Sequence, residues 1–170
     1  MRLPWIYIAL FPALVLLQVI LLNNIYLGGY MNPQLYVLFI LALPVNIPGW
    51  FLLLLSFFLG LFMDAFSDSL AIHAAASVLM AFCRPAALRV ILGATLPEEE
   101  IKPGFSKLGG ARLVVYSLSL IVIHHSALFF LEIFHFAEAW QTVQRILFSS
   151  LLSLVFVLIG FAFLDRSLSS

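Results

Sequence analysis

The sequence predicts an all-α polytopic membrane protein, folded as one compact bundle of about six transmembrane helices. Of its 170 residues, 64% are hydrophobic and only 9% are charged, whereas an ordinary soluble domain has roughly 25% charged residues. The mean hydropathy is +1.16, and a soluble fold of this length could not cover such an apolar surface. The lipid bilayer is therefore the expected surroundings of most of the chain.

The first two predicted spans cover residues 4–22 and 33–43. The first apolar run is longer than the roughly 7–15 residues of a signal-peptide core, and it ends at Asn23 rather than at a small-residue cleavage site. We therefore expect a retained anchor. The second span starts at Pro33, which suits a first helical turn, and two prolines and a glycine between residues 44 and 49 end it.

Spans three and four are predicted at residues 50–63 and 69–92. Spans two and three are short for a bilayer that needs about 20 residues, and so is span four up to Pro85. These lengths indicate helices that stop inside the bundle or loops that dip into the membrane. Span four is expected to break near Arg84 and Pro85, because a residue before proline leaves helical geometry easily. Residues 86–93 would then lie along the surface as an interfacial helix, and Arg84 would snorkel to head groups or contact a partner.

The remaining spans follow the longest polar stretch, residues 95–110, and are predicted at residues 111–136 and 142–164. Basic residues favour the cytoplasmic side of a membrane. Six spans with a cytoplasmic N-terminus place this loop and the C-terminus in the cytoplasm as well. All lysines and arginines except Arg145 then lie on or near that side, which supports this orientation.

Ionisable residues inside a membrane cost about 2.5–3.5 kcal/mol each on insertion scales, so each needs a position or a partner. Asp64 and His73 fall at the outer ends of spans three and four and could approach each other. Arg84 lies about 20 Å further along span four at 1.5 Å per residue, which argues against an ion pair with Asp64. The Asp64 carboxylate is expected to fix the following loop or to cap span four.

Span five carries His124, His125, Glu132 and His135, for which we expect surface capping or contact with a periplasmic partner. One Glu-x-x-His motif falls short of the ligand set of a di-iron site, so no metal or cofactor is predicted. No nucleophile, phosphate-loop or Cys-x-x-Cys motif occurs, so no catalytic residue is predicted. The single cysteine, Cys83, is interpreted as a small buried hydrophobe, and the scattered charges argue against nucleic acid.

Residues 32–85 resemble the MreD family of bacterial rod shape-determining proteins. The resemblance rests on a helix start of the Pro-x-x-Tyr type followed by a Gly-Leu-x-x-Asp signature. In this chain these are Asn32-Pro33-Gln34-Leu35-Tyr36, Leu43-Pro44 and Phe58-Leu59-Gly60-Leu61-Phe62-Met63-Asp64. A Leu70-Ala71-Ile72-His73 turn and Arg84-Pro85 follow. The candidate partner-binding or structural residues are therefore Pro33, Tyr36, Gly60, Asp64, His73 and Arg84.

The resemblance implies a non-enzymatic scaffold in the cytoplasmic (inner) membrane, within the rod complex that builds lateral peptidoglycan. Proteins of that family bind MreC, a single-span protein. Through it they act on the wall transpeptidase and the RodA-type glycosyltransferase, with the MreB filament as an indirect partner. The implied fold is similar to the six-helix substrate-binding subunits of energy-coupling-factor transporters.

A transport role is the alternative. A subunit of an energy-coupling-factor transporter captures a small molecule, and a cluster of polar residues near the outer ends of the spans would suit such a ligand. The cluster consists of Asn23, Asn24, Asp64, His73, Glu132 and His135. The alanine run 74–76 could also supply a close-packing face for an energising partner. Co-purification from the native membrane distinguishes the two hypotheses, because the scaffold and the transport subunit have different partners.

Overall fold

The computed structural model describes residues 5–24, 31–93, 102–133 and 139–169, and all regular structure in them is helical. A 3₁₀ turn, Leu22–Asn24, follows the first helix. The helices are α1 (Trp5–Ile20), α2 (Val37–Ala42), α3 (Gly49–Ser67), α4 (Ile72–Leu92), α5 (Phe105–Leu108), α6 (Gly110–Ile133) and α7 (Ala139–Ser169).

Five of these helices are long and apolar enough to span a membrane: α1 with its 3₁₀ turn, α3, α4, α6 and α7. The predicted membrane-helix class is therefore confirmed. The second predicted span, residues 33–43, differs from the other five. It contains only α2, which has six residues, whereas a helix needs about 20 to cross a bilayer.

The short helix α2 lies inside the bundle, in contact with α1, α4 and α7. Every side chain from residue 33 to residue 45 is buried. At its start the segment lies beside α6, where the Tyr36 hydroxyl is 2.7 Å from His124 Nε2. At its end Leu43 accepts a hydrogen bond from Arg84. We call these two ends of the bundle the histidine end and the arginine end.

Helix α3 has 19 residues and extends beyond the predicted span 50–63, and α4 has 21 continuous residues. The expectation of short third and fourth spans was therefore wrong. The expected break near Pro85 was wrong as well, because α4 continues through this residue to Leu92. A proline inside a helix removes one backbone hydrogen bond. Buried side chains on both sides of it, Met80 and Leu88, keep the helix packed on the bundle. Residues 86–92 are thus the last turns of α4 rather than an interfacial helix.

Gly60 sets the distance between α3 and α4. A methyl group added to Gly60 would lie 2.5 Å from the His73 carbonyl oxygen and 2.6 Å from the Ala74 nitrogen, which is shorter than any normal contact. Only a residue without a side chain fits between the two backbones. Ala74 and Ala76 are buried on the facing helix, as expected for small residues that allow close helix approach.

The arginine end is closed by α5 and the end of α7. The Ser106 backbone N–H donates to an Asp165 carboxylate oxygen at 3.2 Å. Helix α5 thus occupies part of the predicted 95–110 loop, of which residues 95–101 lie outside the described residues. Helix α6 begins at Gly110, as predicted to within one residue. Residues 134–138, including His135, also lie outside the described part of the chain.

Candidate functional site

The buried segment around α2 creates a hydrogen-bonding problem. A helix leaves its first N–H and last C=O groups without intrahelical partners, and the flanking residues 31–36 and 43–48 are largely non-helical. Non-helical backbone at membrane depth is tolerated only where the protein itself supplies the hydrogen bonds. Side chains from four other helices, α1, α4, α6 and α7, do so here.

Arg84 binds the carbonyl groups that follow α2. It is 1% exposed, and its guanidinium donates to the Leu43 carbonyl, to the Pro44 carbonyl at 3.3 Å and to the Tyr116 hydroxyl at 2.8 Å. A cation near a helix C-terminus is also favoured by the helix dipole. The expectation that Arg84 snorkels to the surface was therefore wrong, because its partners lie inside the bundle.

Two tyrosines bind the last carbonyls of α2 itself. The Tyr116 hydroxyl donates to the Leu41 carbonyl at 3.0 Å, and the Tyr7 hydroxyl donates to the Ala42 carbonyl at 3.1 Å. Four consecutive carbonyl groups, from residue 41 to residue 44, are thus bound by Tyr116, Tyr7 and Arg84. This arrangement fixes the end of α2 against α1, α4 and α6.

Gln18 and two serines satisfy the extended chain at the histidine end. The Gln18 amide donates to the Pro33 carbonyl at 2.9 Å and accepts from the Leu35 N–H at 2.7 Å. Ser149 accepts from the Asn32 N–H at 3.0 Å, and Ser153 accepts from the Gln34 N–H at 2.8 Å. The serines lie four residues apart on α7, so they share one face.

The two adjacent histidines on α6 are fully buried. His124 pairs with the Tyr36 hydroxyl, and His125 Nε2 lies 3.3 Å from the Ser153 hydroxyl and 3.4 Å from the Asn32 carbonyl. The expectation that they cap the surface was therefore wrong. Their Nε2 atoms bind groups on or beside the 31–36 segment instead, and both side chains lie on the core face of α6.

Asp64 joins the end of α3 to the start of α4. Its carboxylate accepts from the Ser69 hydroxyl at 2.5 Å and from the backbone N–H groups of His73 and Ala74, both at 2.9 Å. His73 Nδ1 lies 3.0 Å from the same carboxylate. The residue before α4, Ala71, offers no capping side chain. Asp64 thus caps α4 from the neighbouring helix, and its expected approach to His73 is confirmed.

A cleft of about 440 Å³ opens beside this joint at the histidine end. Its walls come from the 3₁₀ turn after α1, from residues 32–34, and from α3, α4 and α6. Asn23, His73 and Glu132, which the sequence placed in one polar cluster, all line it. Glu132 is exposed and forms an ion pair with Arg145, with 3.4 Å between the charged atoms. The structure therefore brings part of the polar cluster of the transport hypothesis together in one cleft.

The candidate residues divide between the two ends. The histidine end holds Pro33, Tyr36, Gly60, Asp64 and His73, and the arginine end holds Arg84. Within the pattern that carries the resemblance, Gly60 and Asp64 contact the same two residues of α4, and Tyr36 stacks near the His73 ring at 6.2 Å.

Sequence reasoning missed the side chains on other helices that bind the buried segment: Tyr7, Gln18, Tyr116, Ser149 and Ser153. Two signals could have identified some of them. Gln18 is the only amide side chain in the α1 sequence, and the two serines recur at helical spacing. Ser56 differs from these two serines, because it bonds within its own helix to the Leu52 carbonyl at 2.8 Å, as serines in apolar helices often do.

Among the described residues, no group of three or more histidine, cysteine, aspartate or glutamate side chains is placed to hold a metal ion. Cys83 is a free thiol, partly buried against the core. Comparison of the chain with protein-family models, with curated proteins and with solved structures found no match.

Proposed function

We propose that this chain is a non-enzymatic scaffold subunit of the bacterial rod complex, similar in role to the MreD family. One observation supports this proposal most. The residues of the resembling pattern, Gly60 and Asp64, together lock α3 against α4. Their chemistry is structural rather than reactive, as a scaffold requires.

The proposed topology has six crossings. Residues 31–48 run from the histidine end to the arginine end and provide the sixth crossing, a short helix with extended arms, beside the five long helices. Broken helices of this kind occur in membrane proteins where the backbone is buried in protein. The N-terminal end of α1 and the C-terminal end of α7 then lie on the same side of the membrane.

The charge distribution supports a cytoplasmic arginine end. Of the basic residues in the described part of the chain, Arg89, Lys107, Arg112 and Arg166 lie at or near this end of their helices, whereas Arg145 belongs to the histidine end. Lys and Arg favour the cytoplasmic side. The histidine end and its cleft then face the opposite side, where the soluble part of an MreC-like partner and the wall synthases lie.

The partner's single transmembrane helix is proposed to pack on the outer face of α3. This face carries an aromatic stripe, which includes Phe58, Phe62 and Phe66, all more than 40% exposed. Bulky aromatic side chains offer a large packing area to a neighbouring helix. Lipid covers the same surface where no partner is bound.

The test is co-purification from the native membrane through a C-terminal tag. A single-span protein recovered together with wall synthases supports the scaffold, whereas ATPase subunits recovered with a large coupling membrane protein support transport. Phe58→Ala combined with Phe62→Ala should reduce recovery of the single-span partner at least about tenfold, as for loss of a binding hot spot. A matched control on α7, Phe148→Ala, exposes a similar aromatic side chain and should leave recovery unchanged.

Asp64→Ala tests the signature itself. Loss of the cap at the start of α4 should round or swell rod-shaped cells, or reduce recovery of the partner, without changing the uptake of any vitamin. The neighbouring exposed change Ala65→Ser is the control. Normal cell shape at a normal protein level in the Asp64→Ala strain would count against a role for this residue.

The cleft favours the second candidate, a membrane subunit that captures a small molecule for an energy-coupling-factor transporter. Its volume of about 440 Å³ falls within the range of small-molecule sites, about 300–1,000 Å³. The fold similarity to transporter subunits that the resemblance implies is only an analogy, because one fold can serve different functions. The co-purification experiment decides between the two roles.

A further inference from the structure

The cleft at the histidine end has a chemistry that the packing of the bundle does not use. Its apolar walls come from Leu22, Phe66, Ile72 and Leu128, and its polar rim includes Asp68. The groups that hold the buried segment, such as Ser149 and Ser153, are not among its lining residues. The cleft therefore offers polar groups that do not hold the buried segment, and a ligand site there does not depend on the proposed scaffold role.

The charges around the cleft sum to a net negative value. Glu132 is neutralised by its ion pair with Arg145, which lies behind the lining and over the Phe129 ring at 4.5 Å. Asp68 is exposed, and its carboxylate has neither a hydrogen bond nor an ion pair within the described ranges. One carboxylate thus remains available at the rim, and no lysine or arginine lines the cleft.

A second, independent feature of the cleft favours a ligand that donates hydrogen bonds. Gln34 lines the cleft and is only 6% exposed. Its backbone N–H is bound by Ser153, but its amide oxygen has no hydrogen-bond partner among the residues that the structure describes. Buried acceptors are normally paired, because leaving one unpaired is unfavourable. A ligand that brings an N–H group would satisfy it.

We propose that this cleft binds a primary ammonium group attached to an apolar or aromatic body. The ammonium group has three donors and one positive charge, which match the Asp68 carboxylate and the Gln34 amide oxygen. The apolar body matches the walls formed by Phe66 and Leu128. Two sources carry this chemistry at a membrane surface, a dissolved amine and the head group of an aminophospholipid.

The test uses the full chain in maltoside micelles, which contain no amine. Phenethylamine at neutral pH is the probe, and 2-phenylethanol is its uncharged counterpart. Isothermal titration should give saturable binding of the amine, with the alcohol at least about tenfold weaker, as expected for loss of a charged hydrogen bond. Asp68→Asn should weaken amine binding about tenfold by the same argument. Asn is well tolerated at the left-handed φ of 49° found there, so this variant should fold.

Gln34→Met provides the second measurement, because it removes the amide oxygen and keeps the side-chain length. It should also weaken binding of the amine, and Asp165→Asn, at the arginine end, should not. Equal affinity for the amine and the alcohol, unchanged amine affinity in Asp68→Asn, or no saturable binding of the amine would each overturn the proposal.

Phosphatidylethanolamine added to the micelles distinguishes the two sources. If the lipid raises the apparent dissociation constant of phenethylamine in the wild type but not in Asp68→Asn, the aminophospholipid head group binds in the cleft. If the lipid has no effect while the amine still binds, the site is specific for a dissolved amine.

Discussion

Arg84→Met should destabilise the bundle by releasing the end of the buried segment. Methionine has a similar length and fits an apolar site, so the change removes the donors with little change in packing. The carbonyl groups of Leu43 and Pro44 lose the hydrogen bonds they accept from Arg84. The Tyr116 hydroxyl also loses the bond it accepts from Arg84 but keeps its bond to the Leu41 carbonyl. The Pro44 carbonyl keeps the Ile47 N–H at 3.4 Å, so only the Leu43 carbonyl is left without a partner.

The size of the effect follows from these three lost bonds. A buried acceptor without a partner costs roughly 1–3 kcal/mol, and each of the two other bonds contributes about 0.5–1.5 kcal/mol, which gives about 2–6 kcal/mol in total. Removing a buried charge returns part of this free energy, so the expected loss is about 3 kcal/mol, in the lower half of that range. Arg84→Lys should fall between wild type and Arg84→Met, because an ammonium group cannot reproduce the planar fork of a guanidinium.

Equilibrium unfolding in mixed micelles with increasing SDS, followed by tryptophan fluorescence, measures the free energy of unfolding. Hydrogen exchange of the backbone around residues 43–47 provides a local readout and should accelerate in Arg84→Met. Arg89→Met is the matched control, since Arg89 is exposed on the same helix. If the two methionine variants agree within about 0.5 kcal/mol, the size of a typical surface effect, then Arg84 does not hold this segment.

Three further changes probe the same architecture, each by unfolding in mixed micelles. Gly60→Ala should destabilise the protein by at least about 2 kcal/mol, as for overpacking, because the added methyl group meets the Ala74 backbone. Gly49→Ala is the control, since a methyl group there meets nothing within 4 Å, and it should be neutral or stabilising. Gln18→Leu leaves a buried N–H and a buried C=O without partners and should cost roughly 2–4 kcal/mol. Tyr36→Phe removes one hydrogen bond to a histidine and should cost about 1 kcal/mol.

Composition and turn residues were sufficient to predict most of the spanning helices. The low charge content and the apolar runs identify lipid as the surroundings, and helix ends fell close to the predicted places, as at Gly110. Helix α3 extends beyond the predicted end at residue 63 to Ser67. The predicted span ended at residue 63 because Asp64 is the first charged residue after it. In the structure the Asp64 carboxylate accepts hydrogen bonds from α4, so it needs no water and the helix continues past it.

Helix α2 could not be predicted in the same way. Residues 33–43 form an apolar run that resembles a helical span, and nothing local indicates that its first residues are extended. Their conformation depends on hydrogen bonds from residues far away in sequence, such as Gln18 and Ser153, which lies 119 positions from Gln34. A single sequence does not reveal such pairs, because periodicity reports one helix at a time.

The candidate site was predicted in part for a related reason. Asp64 and His73 are nine residues apart across a short turn, so their approach follows from the hairpin of α3 and α4. Arg84 has partners on separate elements. Its neighbour Pro85 suggested a break and an exposed side chain, but the hydrogen bonds available inside the bundle outweigh the attraction of the lipid head groups.

The two ends of the buried segment differ in what they leave available. At the arginine end every carbonyl from residue 41 to residue 44 has a side-chain partner, and the charge of Arg84 is used internally. At the histidine end Gln18, Ser149 and Ser153 bind backbone groups of residues 32–35, yet Gln34 retains an unpaired amide oxygen and Asp68 retains an unpaired carboxylate within the described residues. Binding of a ligand or partner is therefore expected at the histidine end. Because Gln34 is joined to α7 through Ser153, a ligand that binds its side chain acts on the same segment that Arg84 fixes from the other end.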